Sequence, residues 1–272
     1  MVLIAVLWIV AALSILVTGM VRTVREEARV LSQARQRAVA GGIGDAAIHL
    51  ALQQLVESPR PVARMVFVDT VYRGTPVRVQ VMPLNGLIDL NTAGVPLLSQ
   101  LYAVAGGVPR PAAAALAQAT VETRSARTPQ GTAARFEAPE DLMRVPGVDY
   151  ELYARLSRLV TAGSRGSGKV NPMAAPFEVL TVLAGGNTAV ASRIATLRDA
   201  GQEGVDTTAL EAGLVDNTAG RTFRLDARVP LADGSWLHVL RSVSLSASDR
   251  DGLPWRTFQM DYGFEAMPRK TS

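Results

Sequence analysis

Residues 1–21, MVLIAVLWIVAALSILVTGMV, carry no charge, and only Ser14, Thr18 and Gly19 interrupt their apolar character before Arg22. As a helix at about 1.5 Å per residue this run reaches roughly 31 Å, close to the hydrocarbon thickness of a bilayer. It predicts a retained membrane helix rather than a buried core helix. A cleaved signal peptide would need a basic start, a shorter apolar run and a small-residue cleavage site. Met1 instead opens directly onto the run, which ends at Arg22 and Arg25. Beyond it the spacing becomes helical: Val21, Val24, Ala28, Leu31, Ala34 and Ala38 fall on one face, with Arg25, Glu26, Arg29, Gln33, Arg35, Gln36 and Arg37 opposite. This predicts an amphipathic continuation over 22–58. Gly41, Gly42 and Gly44 predict a bend or thin spot. The stripe resumes at Ile43, Ala47, Leu50 and Leu55, and Ser58-Pro59 ends it. A continuous rod would be about 85 Å long.

The period then changes to two. Met65–Tyr72 is rich in valine, Arg73-Gly74-Thr75-Pro76 reads as a turn, and Val77, Val79 and Val81 alternate with Arg78 and Gln80. This is a hairpin with one buried face. Leu87–Leu90, after the turn dipeptide Asn85-Gly86, predicts a third strand. Strand patterning lapses until Thr222–Val229, Trp236–Leu245 and Arg256–Phe264, with turns at Asp233-Gly234 and Asp249–Pro254. A sheet split by a helical stretch predicts an α+β fold: a long N-terminal helix on an antiparallel sheet (59–91 and 220–266) with an all-helical domain inserted at 92–219.

Within 92–219 a module repeats. Asn91 is followed by Pro96, an apolar helix and Gly106-Gly107; Asn171 is followed by Pro176, another apolar helix and Gly185-Gly186. The prolines suit a first helical turn and the glycine pairs a left-handed cap. Between the copies, Ala138-Pro139-Glu140-Asp141-Leu142 opens a short helix, and Val145-Pro146-Gly147-Val148 turns into a second over Asp149–Leu159. The turn at Gly147 resembles a helix-hairpin-helix, whose free N–H groups would hold DNA phosphates. Asp149 and Glu151 stand where they would repel phosphate, so a structural turn is the favoured reading.

Composition narrows the chemistry. There are no cysteines, which excludes disulfides, thiolate metal sites and a cysteine nucleophile, and the two histidines, His49 and His238, exclude a His-rich metal site. Each histidine reads as an ordinary surface or sheet residue. The net charge of +4 and pI near 9.8 come almost wholly from arginine, since Lys169 and Lys270 are the only lysines. No basic run marks a nucleic-acid face. Asp249 and Asp251 are spaced as in a calcium loop but lack its further acids and terminal glutamate, leaving them weak metal candidates. Asp45 with His49, and Asp206 with Glu211, read as polar pairs on helical segments. No nucleophile elbow, Walker motif, dinucleotide fingerprint or zinc spacing is present, and the expectation is a non-enzyme without a cofactor. Arg22, Arg25 and Arg29 after the apolar run would put the body in the cytoplasm unless a basic leader precedes Met1, so orientation stays open.

Taken in order, VLIAVLWIVAALSILV, GLIDLNTAGVPLLSQL (86–101), FEAPEDLMRVPGVDYELYARLSRLVTAGS (136–164) and KVNPMAAPFEVLTVLAG (169–185) resemble the minor pseudopilin K family of the type II secretion system, also called general secretion pathway protein K. The chain departs from the family in its short Val121-Glu122-Thr123-Arg124 segment and in Asn171-Pro172-Met173. The calcium associated with some members is therefore implied without assigned ligands. The resemblance implies a pilin-like fold and a basic leader removed by a prepilin peptidase, leaving Met1 as an N-methylated first residue. It implies a single pass through the bacterial inner membrane with the body in the periplasm. Ala5 stands where ordinary pilins carry a glutamate used in assembly. The implied partners are other minor pseudopilins, met through the N-terminal helix, and the inner-membrane assembly platform. The implied role is at the pseudopilus tip, nucleating or capping assembly for export across the outer membrane. The alternative is a DNA-binding minor pilin-like protein of a DNA-uptake pilus.

Overall fold

The computed structural model describes residues 2–58, 61–127, 131–163, 166–246 and 252–265, with backbone alone for 2–26 and 28. Helix α1 runs from Val2 to Glu57 without a break. The glycine-rich stretch therefore does not interrupt it. At Gly44 the sheet comes so close that a Cβ would lie 2.4 Å from Val239 Cγ2. Seating on the sheet there offsets the intrinsic cost of glycine in a helix, about 1 kcal/mol. The stripe Ala40, Ala47, Ile48, Ala51, Leu52 and Leu55 is buried.

That stripe lies on a five-stranded antiparallel sheet of order β1-β2-β5-β6-β7. Strand β1 (Val66–Tyr72) meets β2 (Thr75–Pro83) through the two-residue turn Arg73-Gly74, whose φ values of 49° and 79° are the pair that a primed hairpin turn requires. Strands β5 (Thr222–Pro230), β6 (Trp236–Ser244) and β7 (Arg256–Glu265) follow near the positions their alternation predicts. In register, Val79 faces Ala227 and Ala227 faces Val239. These residues, with Val77, Val81, Phe223, Leu225, Val229, Leu237 and Val243, form one core with the upper turns of α1.

The predicted third hairpin strand is not part of this sheet. Both edges of β2 are already taken, by β1 and β5. Asn85-Gly86 instead sits in a 3₁₀ turn, Leu84–Gly86. The short β3 (Ile88–Asp89) then pairs in parallel with β4 (Val160–Thr161), a strand the alternation does not announce.

The chain between β2 and β5 also forms helices α2 (Val95–Gln100), extended by a π turn at Leu101–Ala105, α3 (Arg110–Ser125), α4 (Tyr150–Leu156), α5 (Phe177–Leu183) and α6 (Thr188–Asp199). A 3₁₀ segment covers Pro139–Arg144. Helix α4 is shorter than Asp149–Leu159, because Asp149 is its cap and residues 157–159 turn away. These elements share a second core built on Leu84, Leu90, Leu98, Leu101, Tyr102 and Leu180. Inside it the Tyr102 hydroxyl meets Thr120 Oγ1 at 2.7 Å, and burial raises the tyrosine above its usual pKa.

Candidate functional site

Below the sheet, the described side chains of α1 are largely uncovered, though Arg37 lies over the Phe264 ring and Val39 borders a cleft with Thr75 and Pro230. Described side chains from Glu27 to Val39 are exposed, including Val30 (66%), Leu31 (72%) and Val39 (56%). Val30 lies about five helical turns before Ile48 and so continues the sheet-facing stripe past the end of the sheet. Apolar side chains on an unsupported helix call for a neighbour. Met1 lies outside the described residues, and Ala5 is described only as backbone within α1. The side chains of the apolar run 1–21 are likewise outside the description; among the described residues no helix is long and apolar enough to cross a membrane.

The two asparagine turns are built to hold segments together. Asn91 Nδ2 donates to the carbonyls of Phe136 (2.8 Å) and Ala162 (2.9 Å), while its Oδ1 accepts from Phe136 N (2.9 Å). Asn171 is wholly buried; its Nδ2 donates to Ala63 O (2.7 Å) and Thr218 O (3.4 Å), and its Oδ1 accepts from Met173 N (2.9 Å). Pro96 lies in the first turn of α2, and Pro176 directly precedes α5. The glycine pairs supply positive φ at Gly107 (67°), Gly185 (62°) and Gly186 (93°). Each module also has an arginine that the sequence reading does not single out. Arg124 on α3 donates to Leu90 O (2.7 Å), and the buried Arg198 on α6 donates to Ala175 O. Burial lowers the pKa of Arg124, against the opposing pull of Asp89.

The turn at Gly147 (φ 91°) leads into α4, where Asp149 Oδ1 accepts from Leu152 N at 2.8 Å. Asp141 likewise accepts from Glu137 N (2.7 Å) at the preceding 3₁₀ segment. Both N-termini that could face a phosphate thus already hold a carboxylate.

Elsewhere the polar chemistry braces the fold. His238 on β6 lies between Asp226 on β5 (Nδ1 to Oδ2, 2.9 Å) and Glu265 on β7 (Nε2 to Oε2, 3.1 Å), and Arg228 donates to the same Glu265 oxygen at 2.7 Å. Asp45 on α1 pairs with Arg241 at 2.7 Å. Asp206 is not on a helix: in the irregular 201–215 segment it accepts from Thr208 N (2.9 Å). Where the helices meet the sheet's outer face, Tyr153 donates to Glu140 (3.1 Å), and its pKa is pushed up to about 12 by burial first and by Glu140 second. Asp249 and Asp251 lie outside the described residues, and among those described no three His, Asp or Glu side chains are grouped to hold a metal.

A scan against protein-family models and a search of curated proteins returned no match. Among solved structures, the chain is similar to one chain of the GspK–GspI–GspJ complex of the type 2 secretion system from enterotoxigenic Escherichia coli. The TM-score is 0.52 at 17% identity, over 87% of this chain and 99% of that one. The likeness shows the fold: an α+β, pseudopilin-like arrangement of a long helix, an antiparallel sheet and several further helices.

Proposed function

We propose that this protein is a minor pseudopilin of a type II secretion system, placed at the pseudopilus tip, where it nucleates or caps assembly and supports export across the outer membrane. The observation that carries this reading is α1: its upper turns seat on the sheet, while its lower turns leave Val30, Leu31 and Val39 exposed around the helix, open to more than one neighbour. The fold it shares with a chain of the GspK–GspI–GspJ complex points the same way.

In this reading residues 1–21 cross the inner membrane once and the body stands in the periplasm. A prepilin peptidase exposes Met1, which is then N-methylated. The other minor pseudopilins pack along α1, and the assembly platform receives the helix from the membrane. The stretch 92–219 acts as an inserted helical domain whose bulk suits an end position. No enzymatic or cofactor role is assigned. The Asp149 and Asp141 caps argue against DNA as the ligand.

Paired substitutions Val30→Asp and Leu31→Asp in the full chain test this reading. Both positions are exposed, so the thermal midpoint should hold, while co-purification with other minor pseudopilins and secretion should fail. Undiminished secretion by this variant, or gold label on the native protein spaced along the pseudopilus shaft, would overturn the proposal.

A further inference from the structure

Strand β7 is an edge strand: among the described residues it is bonded to β6 alone. It is also the longest strand, at 10 residues. Helix α1 packs over the other four strands and leaves most of β7 bare. Met260, Tyr262 and Phe264 lie opposite Arg241, Val239 and Leu237, and therefore share the α1 side of the sheet. They are nevertheless 64%, 56% and 57% exposed. Two contacts steady the row: the Arg37 guanidinium lies 4.9 Å from the Phe264 ring centre, and Arg241 donates to the Tyr262 hydroxyl at 2.7 Å. On the outer side the strand shows Gln259, Asp261 and Glu265. Glu265 is held by Arg228 and His238, whereas the exposed Asp261 receives the Gln259 amide.

Sheet edges are commonly blunted by lysine, proline, shortness or a mid-strand bulge. Residues 256–265 contain neither lysine nor proline, and the single register slip, opposite Ser242/Val243, falls near the start of the strand. The other edge, β1, is shorter at 7 residues, and its outer side exposes Phe67 and Val71 with the Asp69–Arg78 ion pair between them. A helix laid on Met260, Tyr262 and Phe264 would bury apolar surface but leave the β7 ladder groups unpaired. Pairing with a second β7 on the same face would bring Asp261 and Glu265 of both copies onto one side, where like charges oppose each other.

We propose that the β7 edge takes an extended strand of a partner polypeptide by β-augmentation. Its residues would be apolar on the α1 side and neutral or basic on the outer side, with a cation near Asp261. Ladder hydrogen bonds supply the affinity and the alternating side chains the selectivity. This inference does not depend on a secretion role.

The test uses the detergent-solubilised full chain and a fluorescent peptide of about ten residues in which valine alternates with lysine and threonine. Saturable binding is expected, with slowed amide exchange confined to β7. N-methylating one edge of the peptide should weaken binding by about tenfold or more while leaving the protein untouched. Asp261→Asn should weaken it by about threefold at low salt. Equal binding of the methylated peptide would overturn the proposal. So would protection of β7 through dimerisation without peptide, or tighter peptide binding after removal of residues 266–272, which would make the chain's own tail the occupant.

Discussion

At the residue scale, the buried Asn171 joins three segments through one amide. Asn171→Ala would remove the side-chain partner of the Ala63 carbonyl and of the Met173 amide, while the Thr218 carbonyl would keep its 2.8 Å bond from the Asn85 amide. The expected loss is about 2–3 kcal/mol in urea unfolding. Asn91→Ala should cost less, because its site is only half-buried. The glycines of α1 allow a sharper test, since two near neighbours should respond with opposite sign. A Cβ at Gly42 meets nothing within 4 Å, so Gly42→Ala should stabilise the helix by about 0.5–1 kcal/mol. A Cβ at Gly44 meets Val239 at 2.4 Å, so Gly44→Ala should destabilise by about 1–3 kcal/mol despite the same gain in propensity. Calorimetry on both variants decides it: two stabilising substitutions would mean that α1 is not seated on β6. The asparagines were legible in the sequence because they recur at a fixed distance from proline and a glycine pair. At Gly44 the sequence predicts a bend or thin spot, because it records the missing side chain but not that Val239 fills its place. Arg124 and Arg198 gave no signal, since arginine is scattered throughout this chain and its partners are backbone carbonyls remote in sequence.

At the scale of elements, period-two alternation placed β5 and β6 well because each has one face on α1 and one turned away, and β7 because its side chains continue the same two sides of the sheet. The same logic failed at Leu87–Leu90. An apolar run after Asn-Gly looks like a hairpin strand, but pairing depends on which edges are free, and that is a non-local property. Helices α3 and α6 were read only as part of a helical block. Their buried faces are mostly small or polar, Ala113, Ala117 and Thr120 in one and Ala191 and Arg198 beside a single large apolar residue, Ile194, in the other, so no strong apolar stripe announces them. How β7 is held leads to a pH prediction. The Glu265 carboxyl lies below its ordinary value of 4.5, chiefly through the His238 hydrogen bond and then through Arg228, with Asp226 on the far side of the imidazole. A carboxyl depressed on folding stabilises fully above its unfolded value, and that contribution is lost as pH falls through the lower folded value. Amide protection factors near the end of β7 should therefore drop below about pH 4.5 while the β2–β5 pair keeps its own. Glu265→Gln should show weaker protection at neutral pH and no further acid step of this origin. An unchanged acid step in that variant would assign the loss to another carboxylate.

For the whole molecule, the two cores share no residue. Every buried member of one lies between Leu84 and Leu214, whereas the other draws on Ala40–Val81 and Phe223–Trp255. Pro83 and Phe223 face each other across β2 and β5, so Asn-Gly in place of residues 84–222 would close a two-residue hairpin at that point. The shortened chain keeps α1 and all the apolar residues beneath it. It loses the Asn171–Ala63 tie and the cover over Arg224, whose burial by the helices now lowers its pKa. It should still unfold cooperatively, with a lower midpoint, and should retain the circular dichroism of α1 and the sheet; a molten state would show that the sheet cannot stand without the helices. The excision also bears on the proposed position in the pseudopilus. About 140 residues occupy a body with a radius of gyration near 14 Å, or roughly 35–40 Å across. Subunits stacked through their N-terminal helices leave each head little axial room, so a head enlarged by that much would collide with one placed above it. If bulk is what restricts the protein to the tip, the shortened chain should carry gold label below the tip as well, even though Ala5 is unchanged. Label still confined to the tip would transfer the restriction from the helical block to α1 itself.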